Sequence, residues 1–113
     1  MAHRQTDPLK ELKEIAKIRV DKERHRLAAM RDEANRLETE QNAVRKQISD
    51  LTKSTDASPE AFINMHAYLN ALSDKVKRLA DEQHEAAART EAQKEKIKTA
   101  LASQIRVDGM DED

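Results

Sequence analysis

The sequence predicts an all-α protein in which two long antiparallel helices form a coiled-coil hairpin. Three observations point to this fold class. The chain has 113 residues, of which 38% are charged and only 2% aromatic, it contains a single glycine, and its apolar residues recur at heptad spacing. Such a composition cannot fill the core of an ordinary globular domain, and its wealth of Ala, Leu, Glu, Lys and Arg favours helix over solvated coil.

Two proline residues mark the helix starts. Asp7 precedes Pro8 and Ser58 precedes Pro59, and each polar side chain can accept a free backbone N–H of the first turn. Proline also disfavours the helical conformation in the preceding residue, so the first helix has to end before Ser58. The sequence therefore predicts a short N-terminal extension over 1–7, helices over about 8–53 and 59–107, a turn over 54–58 and an acidic disordered tail over 108–113.

An apolar seam with alternating steps of three and four residues runs along each predicted helix. Folding the chain on itself brings the two seams together and hides both from water. The first seam comprises Leu27, Met30, Ala34, Leu37, Gln41, Val44, Ile48 and Leu51. The second comprises Phe62, Met65, Leu69, Leu72, Val76, Leu79, Gln83, Ala86, Thr90, Gln93 and Ile97, and Leu101 and Ile105 continue it at spacing four.

A register follows if residues whose numbers sum to about 113 face each other. Leu51 then meets Phe62, while Met30 meets Gln83 in the middle of the hairpin. Because polar and small residues occupy these middle layers, we expect weak packing there and a marginal monomer. A homodimer or a binding partner would supply the missing stability.

Both ends of the hairpin carry more apolar residues than a seam requires. Near the termini, Ile15 and Ile18 lie off the seam that passes through Leu12 and Ala16. Near the turn, a tip patch of Phe62, Ile63 and Tyr68 is the second candidate surface. A wider apolar stripe indicates either a protein-binding face or a wider hairpin core, and the residues alone leave both interpretations open.

Composition argues against several classes of function. The 21 basic and 22 acidic residues leave a net charge of -1, so no overall field attracts nucleic acid. Without cysteine there is no thiolate metal site, and His3, His25, His66 and His84 do not converge in the proposed register. The carboxylates lack a dry concave site. We therefore expect a non-enzymatic protein with no metal and no cofactor.

Two further expectations concern location and nucleic acid. No window approaches the roughly 18 apolar residues of a membrane span, and the N-terminus lacks the apolar run of a signal peptide. We therefore expect a cytoplasmic protein without direct membrane insertion, whose association with any membrane goes through a partner. Residues 17–27, KIRVDKERHRL, suggest the basic region of a DNA-binding zipper. Because Asp21 and Glu23 would face phosphates, a solvated helix face is the favoured interpretation.

The segments LKELKEIAKIRVDKERHRLAAM, residues 9–30, and FINMHAYLNALSDKVKRLADEQ, residues 62–83, resemble the FliJ family of flagellar export stalk proteins and their relatives in type III secretion. The resemblance implies an antiparallel coiled coil whose terminal end inserts into a hexameric export ATPase, and which contacts the export gate and escorts substrate chaperones. In this sequence the ATPase-binding residues would be Leu9, Leu12, Ile15, Ile18, Arg19, Ile97, Leu101 and Ile105. The family's second helix usually extends well beyond its first, whereas here it ends near Val107.

Two functions remain open at this point. The first is a non-enzymatic component of a flagellar or type III export apparatus. The alternative is a structural coiled-coil scaffold or spacer that self-associates into a four-helix bundle.

Overall fold

The computed structural model describes residues 7–53 and 58–110, which form two α-helices, α1 (Pro8–Thr52) and α2 (Pro59–Asp108). The helices make a hairpin, and no strand occurs in the described ranges, which confirms the predicted all-α class. Most of the predicted turn, at 54–57, lies outside the described residues. So do 1–6 of the predicted extension and 111–113 of the predicted tail.

Both helices begin with the predicted caps. The Leu9 backbone N–H donates to Asp7 Oδ1 at 3.1 Å, and the Ala61 N–H donates to Ser58 Oγ at 3.2 Å. Each side chain thus satisfies one of the backbone donors that a helix start leaves without an intrahelical acceptor. The cap prediction from the two Xaa-Pro pairs is therefore confirmed.

The chain divides into two compact units, each of which contains part of both helices. We call them the terminal unit, with described residues 7–31 and 89–110, and the turn unit, with described residues 32–53 and 58–88. Large aliphatic side chains fill the turn unit. Its buried core is Leu37, Val44, Leu72, Leu79 and Ala86, with Ile48, Leu51 and Val76 packed against it.

The terminal unit has a core of smaller side chains. Its buried apolar residues are Ala16, Val20, Ala100 and Val107, and it also buries Glu23 and Gln93. Since the hydrophobic contribution scales with the apolar area removed from water, this core stabilises its unit less than a set of leucines would. The weak packing was predicted for the middle layers around Met30 and Gln83, whereas these small buried side chains extend toward the ends of the helices, at Ala16 and Val107.

The register of the two helices differs from the predicted one. In the turn unit Gln41 Nε2 donates to the Val76 carbonyl at 3.3 Å, and in the terminal unit Gln93 Nε2 donates to Glu23 Oε2 at 2.8 Å. These residue numbers sum to 117 and 116, so the predicted sum of about 113 is wrong by three to four residues.

The error equals one step of the seam, and its cause is physical. A slip of one step still places seam on seam, so apolar spacing does not distinguish the two registers. The polar residues of the seam do distinguish the two registers. In the predicted register Gln93 would face Val20, and its buried amide would have no acceptor there. In the observed register the amide meets the Glu23 carboxylate.

The same shift explains why Phe62 is not in the core. In the observed register, the position opposite Phe62 lies beyond Thr52, the last residue of α1. The Phe62 side chain is therefore 61% exposed. Its ring stacks on that of His66, with 6.3 Å between the ring centroids. The predicted pairing of Leu51 with Phe62 is therefore wrong. At the other end of α2 the buried positions are Ala100 and Val107, not the predicted continuation of the seam.

Gln83 offers a test of the seam in the turn unit. It is half-buried between the layers of Leu79 and Ala86, and the observed register places it across from Ala34, not from Met30 as predicted. Gln83→Leu should raise the free energy of unfolding by about 1 kcal/mol through added apolar burial. Chemical denaturation followed by circular dichroism measures the change.

Gln47→Leu is the matched control, because Gln47 belongs to the same unit and is exposed. We expect this control to change stability by less than about 0.5 kcal/mol. Equal effects of the two substitutions would contradict the seam position of Gln83.

Candidate protein-binding site

The predicted site residues of the terminal unit differ in exposure. Ile15, Ile18 and Ile105 are 62%, 64% and 71% exposed, and Leu12 is 44% exposed. Arg19 is exposed, whereas Leu9, Ile97 and Leu101 are half-buried. The prediction that Ile15 and Ile18 lie off the seam is confirmed by their exposure, whereas the prediction that the seam passes through Leu12 is wrong, because Leu12 is itself exposed.

A groove beside the seam shows which side chains lie together. It has a volume of about 350 Å³ and is lined by Arg19, Glu23, Glu95, Lys96 and Thr99. Arg19 directly precedes the seam residue Val20, and Lys96 directly precedes Ile97. Residues one position before a seam residue on either helix therefore lie on the same side, which we call the groove flank.

The candidate residues do not form a single surface. Leu12 and Ile15 fall on the groove flank at helical spacing from Arg19, and Ile18 points away from the seam. Leu101 and Ile105 each follow a seam position, so they lie on the opposite flank. The structure thus groups Leu12 and Ile15 with Arg19 and separates them from the predicted residues near the end of α2.

A buried polar pair lies beneath the groove flank, and sequence reasoning missed it. Besides its bond to the carboxylate, Gln93 Nε2 donates to the Glu23 backbone carbonyl at 2.9 Å, and Arg26 Nη1 donates to Glu23 Oε1 at 2.6 Å. Gln93 is 1% exposed and Glu23 is 7% exposed. The signal was present in the sequence as a carboxylate and an amide at seam positions of opposite helices.

These bonds determine the charge state of Glu23. The hydrogen bond from Gln93 lowers the pKa of the carboxyl below its ordinary value of 4.5, and the charges of Arg26 and Lys96 act in the same direction. Burial opposes them, because it disfavours the charged form. The bonds outweigh burial, so the group stays ionised at neutral pH.

A dependence of stability on pH follows. Because the pKa of Glu23 is lower in the folded chain than in the unfolded chain, its contribution is present above the ordinary carboxyl value of 4.5 and is lost as the pH falls through the folded value. The wild type should therefore lose more stability on acidification than Glu23→Gln, which has no such proton to bind. Thermal melts between pH 7 and pH 3 compare the wild type with Glu23→Gln. If the melting temperatures of both proteins fell equally with pH, the lowered pKa of Glu23 would be contradicted.

The tip patch lies in the turn unit, where all three of its residues are exposed. Phe62, Ile63 and Tyr68 are 61%, 66% and 51% exposed. Tyr68 directly precedes the seam residue Leu69 and so shares the side of Lys75, whose Nζ lies 3.8 Å from Glu40 Oε1. Ile63 is rotated to the other side of α2. The patch is therefore divided around the helix.

Comparisons with protein-family models, with curated proteins and with solved structures find no match to this chain.

Across the described part of the chain, no three or more His, Asp or Glu side chains are placed to hold a metal ion. Neither of the helices, over the ranges described, has the length and apolar character that a membrane crossing requires.

Proposed function

We propose that the protein is a non-enzymatic coiled-coil component of a flagellar or type III protein export apparatus, which binds the export ATPase and escorts substrates or their chaperones. The observation that carries the proposal is the exposed aliphatic stripe of Leu12, Ile15 and Ile18 on α1. Exposed apolar residues that adjoin one another mark surfaces for protein partners more often than isolated ones do. The export apparatus itself comes from the resemblance to the FliJ family.

The geometry suits a protein partner better than a small molecule. The stripe is convex, and the adjoining groove is a shallow channel along the helices. Small-molecule sites bury most of their ligand in a concavity, whereas an amphipathic helix can lie along such a channel as a third strand of the coiled coil. As part of the same proposal we place the protein in the cytoplasm, where partners bring it to the inner membrane.

Co-purification with a hexameric export ATPase tests the proposal. The full chain, carrying an affinity tag, is mixed with the purified ATPase and analysed by size-exclusion chromatography at physiological salt. We expect the two to elute together, and an unrelated hexameric ATPase serves as the control. Separate elution, or equal retention by the unrelated ring, would count against an export role.

A structural scaffold that self-associates into a four-helix bundle is the second candidate. It is favoured by the exposed apolar residues outside the stripe, namely Phe62, Ile63, Tyr68 and Ile105. Sedimentation equilibrium distinguishes the candidates. A stable dimer that fails to bind the export ATPase would support the scaffold, whereas a monomer that binds it would exclude the scaffold.

A further inference from the structure

All the charged residues on the groove flank of the terminal unit are basic. Six basic residues fall on it by their spacing from the seam, and no Asp or Glu occupies an equivalent position on either helix within the unit. On the opposite flank Glu14, Asp21 and Glu91 alternate with lysine and arginine. The basic residues of the groove flank are Arg19, Lys22, Arg26, Arg89, Lys96 and Arg106.

Like charges meet across the seam on this flank. The register that pairs Glu23 with Gln93 sets Arg19 beside Lys96, and it sets Arg26 beside Arg89. In the turn unit one corresponding position holds opposite charges, Glu40 and Lys75, and another holds Glu33 and Glu82. Because opposite charges at these flanking positions stabilise a coiled coil and like charges destabilise it, the basic pairs work against the hairpin.

The hairpin's own carboxylates neutralise only part of this charge, since Arg26 and Lys96 both act on the same carboxylate, that of Glu23. Among the described residues, the ion pairs of the terminal unit include one basic residue of this flank, Arg26, which holds Glu23. The second carboxylate in the groove, Glu95, lies 3.1 Å from Lys98 on the outer face of α2. Arg19 and Lys96 thus face solvent across the groove.

We propose that this basic groove flank is the docking surface for an acidic amphipathic helix of a partner protein. Carboxylates of such a helix would neutralise the facing pairs, and electrostatic complementarity of this kind selects partners and speeds their encounter. Its apolar side would cover Leu12 and Ile15, which continue the flank toward the start of α1. Those two side chains favour a protein helix over a nucleic acid, because phosphates make no use of aliphatic contacts.

The inference needs a protein partner but not an export ATPase, so it can fail separately from the proposed function. The test uses the full-length chain and a synthetic helical peptide with leucine at heptad spacing and glutamate at the flanking positions. Fluorescence anisotropy measures its binding at low and at physiological salt. A scrambled peptide of the same composition and a 20-base-pair DNA duplex are run beside it.

Charge reversal on the two flanks gives matched variants. Arg19→Glu/Lys96→Glu alters the groove flank, and Lys17→Glu/Arg24→Glu makes the same change in net charge on the opposite flank of the same unit. We expect the first pair to weaken peptide binding by about tenfold or more, and the second by less than about twofold. Equal losses would mean that only net charge matters and would overturn the proposal, as would tighter binding of the DNA or equal binding of the scrambled peptide.

A rescue measurement separates lost recognition from lost folding. A peptide with lysine in place of the glutamates should bind Arg19→Glu/Lys96→Glu at least about tenfold more tightly than it binds the wild type. A misfolded variant would bind neither peptide. Failure of the rescue in a variant that retains wild-type helicity would overturn the proposal.

Discussion

Replacing Gln93 with alanine is expected to lower the free energy of unfolding by about 2 to 3 kcal/mol. The amide is 1% exposed and makes two hydrogen bonds across the hairpin, so its loss leaves a cavity and removes a donor from a buried carboxylate. Urea denaturation followed by circular dichroism measures the change. Gln47→Ala on the exposed surface is the control and should cost less than about 0.5 kcal/mol.

A double substitution shows what the polar pair contributes beyond stability. Glu23→Leu/Gln93→Leu removes both partners, and an apolar pair of similar size at the seam should restore the stability that the single change loses. The apolar seam would then accept either register, because they differ by one step. We expect two populations separated by about 5 Å along the helix axis, from 1.5 Å of rise per residue.

Distance measurements between spin labels at residues 17 and 102 detect these populations, since both positions are exposed. The wild type should give one distance. If the double variant also gives one unchanged distance, apolar packing alone sets the register, and the pair has no such role.

Under the proposed function, replacing both Ile15 and Ile18 with serine is expected to abolish most of the binding to an export ATPase while the hairpin stays folded. The two side chains are 62% and 64% exposed, so little burial is lost, and serine has nearly the same helix propensity as isoleucine. Truncation of a hot-spot residue at the centre of an interface costs about 2 kcal/mol or more, which is a loss of over tenfold in affinity.

Pull-down with the ATPase and a motility or secretion assay read out the effect, and circular dichroism checks the helicity. Ile63→Ser is the control, because it removes an isoleucine of similar exposure, 66%, from the turn unit. An unfolded double variant would mean that the stripe belongs to the core. A folded variant with normal export would remove the physical support for a stalk.

The sequence predicted the helices and most of the seam because those features depend on local chemistry and spacing. Buried leucine and valine residues recur seven residues apart on each helix, and this period puts them on one face whatever lies opposite. The pairs are Leu37 with Val44 on α1 and Leu72 with Leu79 on α2. The predicted register was wrong, because the register depends on which polar residues satisfy each other across the hairpin. Pairing Glu23 with Gln93 before matching apolar layers would have found it.

The exposure of some candidate site residues was predicted for the same reason. Ile15 and Ile18 break the period of α1, so their exposure follows from spacing alone. Leu101 and Ile105 were assigned to the seam by residue type, but steps of four residues rotate each one about 40° past a full turn. They therefore leave the face that Ala100 and Val107 occupy, and the predicted surface separates into two.

The two cores also determine how the chain opens and closes. Gln41 and Val76 lie 35 residues apart in the sequence, and Glu23 and Gln93 lie 70 apart. Doubling a loop costs only about 0.6 kcal/mol of closure entropy, less than the burial of one leucine at about 1.5 to 3 kcal/mol. Core composition, more than chain distance, therefore sets local stability. In native-state hydrogen exchange, we expect amides near Val20 and Ala100 to exchange well before those near Leu37 and Leu79. The two helices would separate first at the termini and pair again starting from the turn.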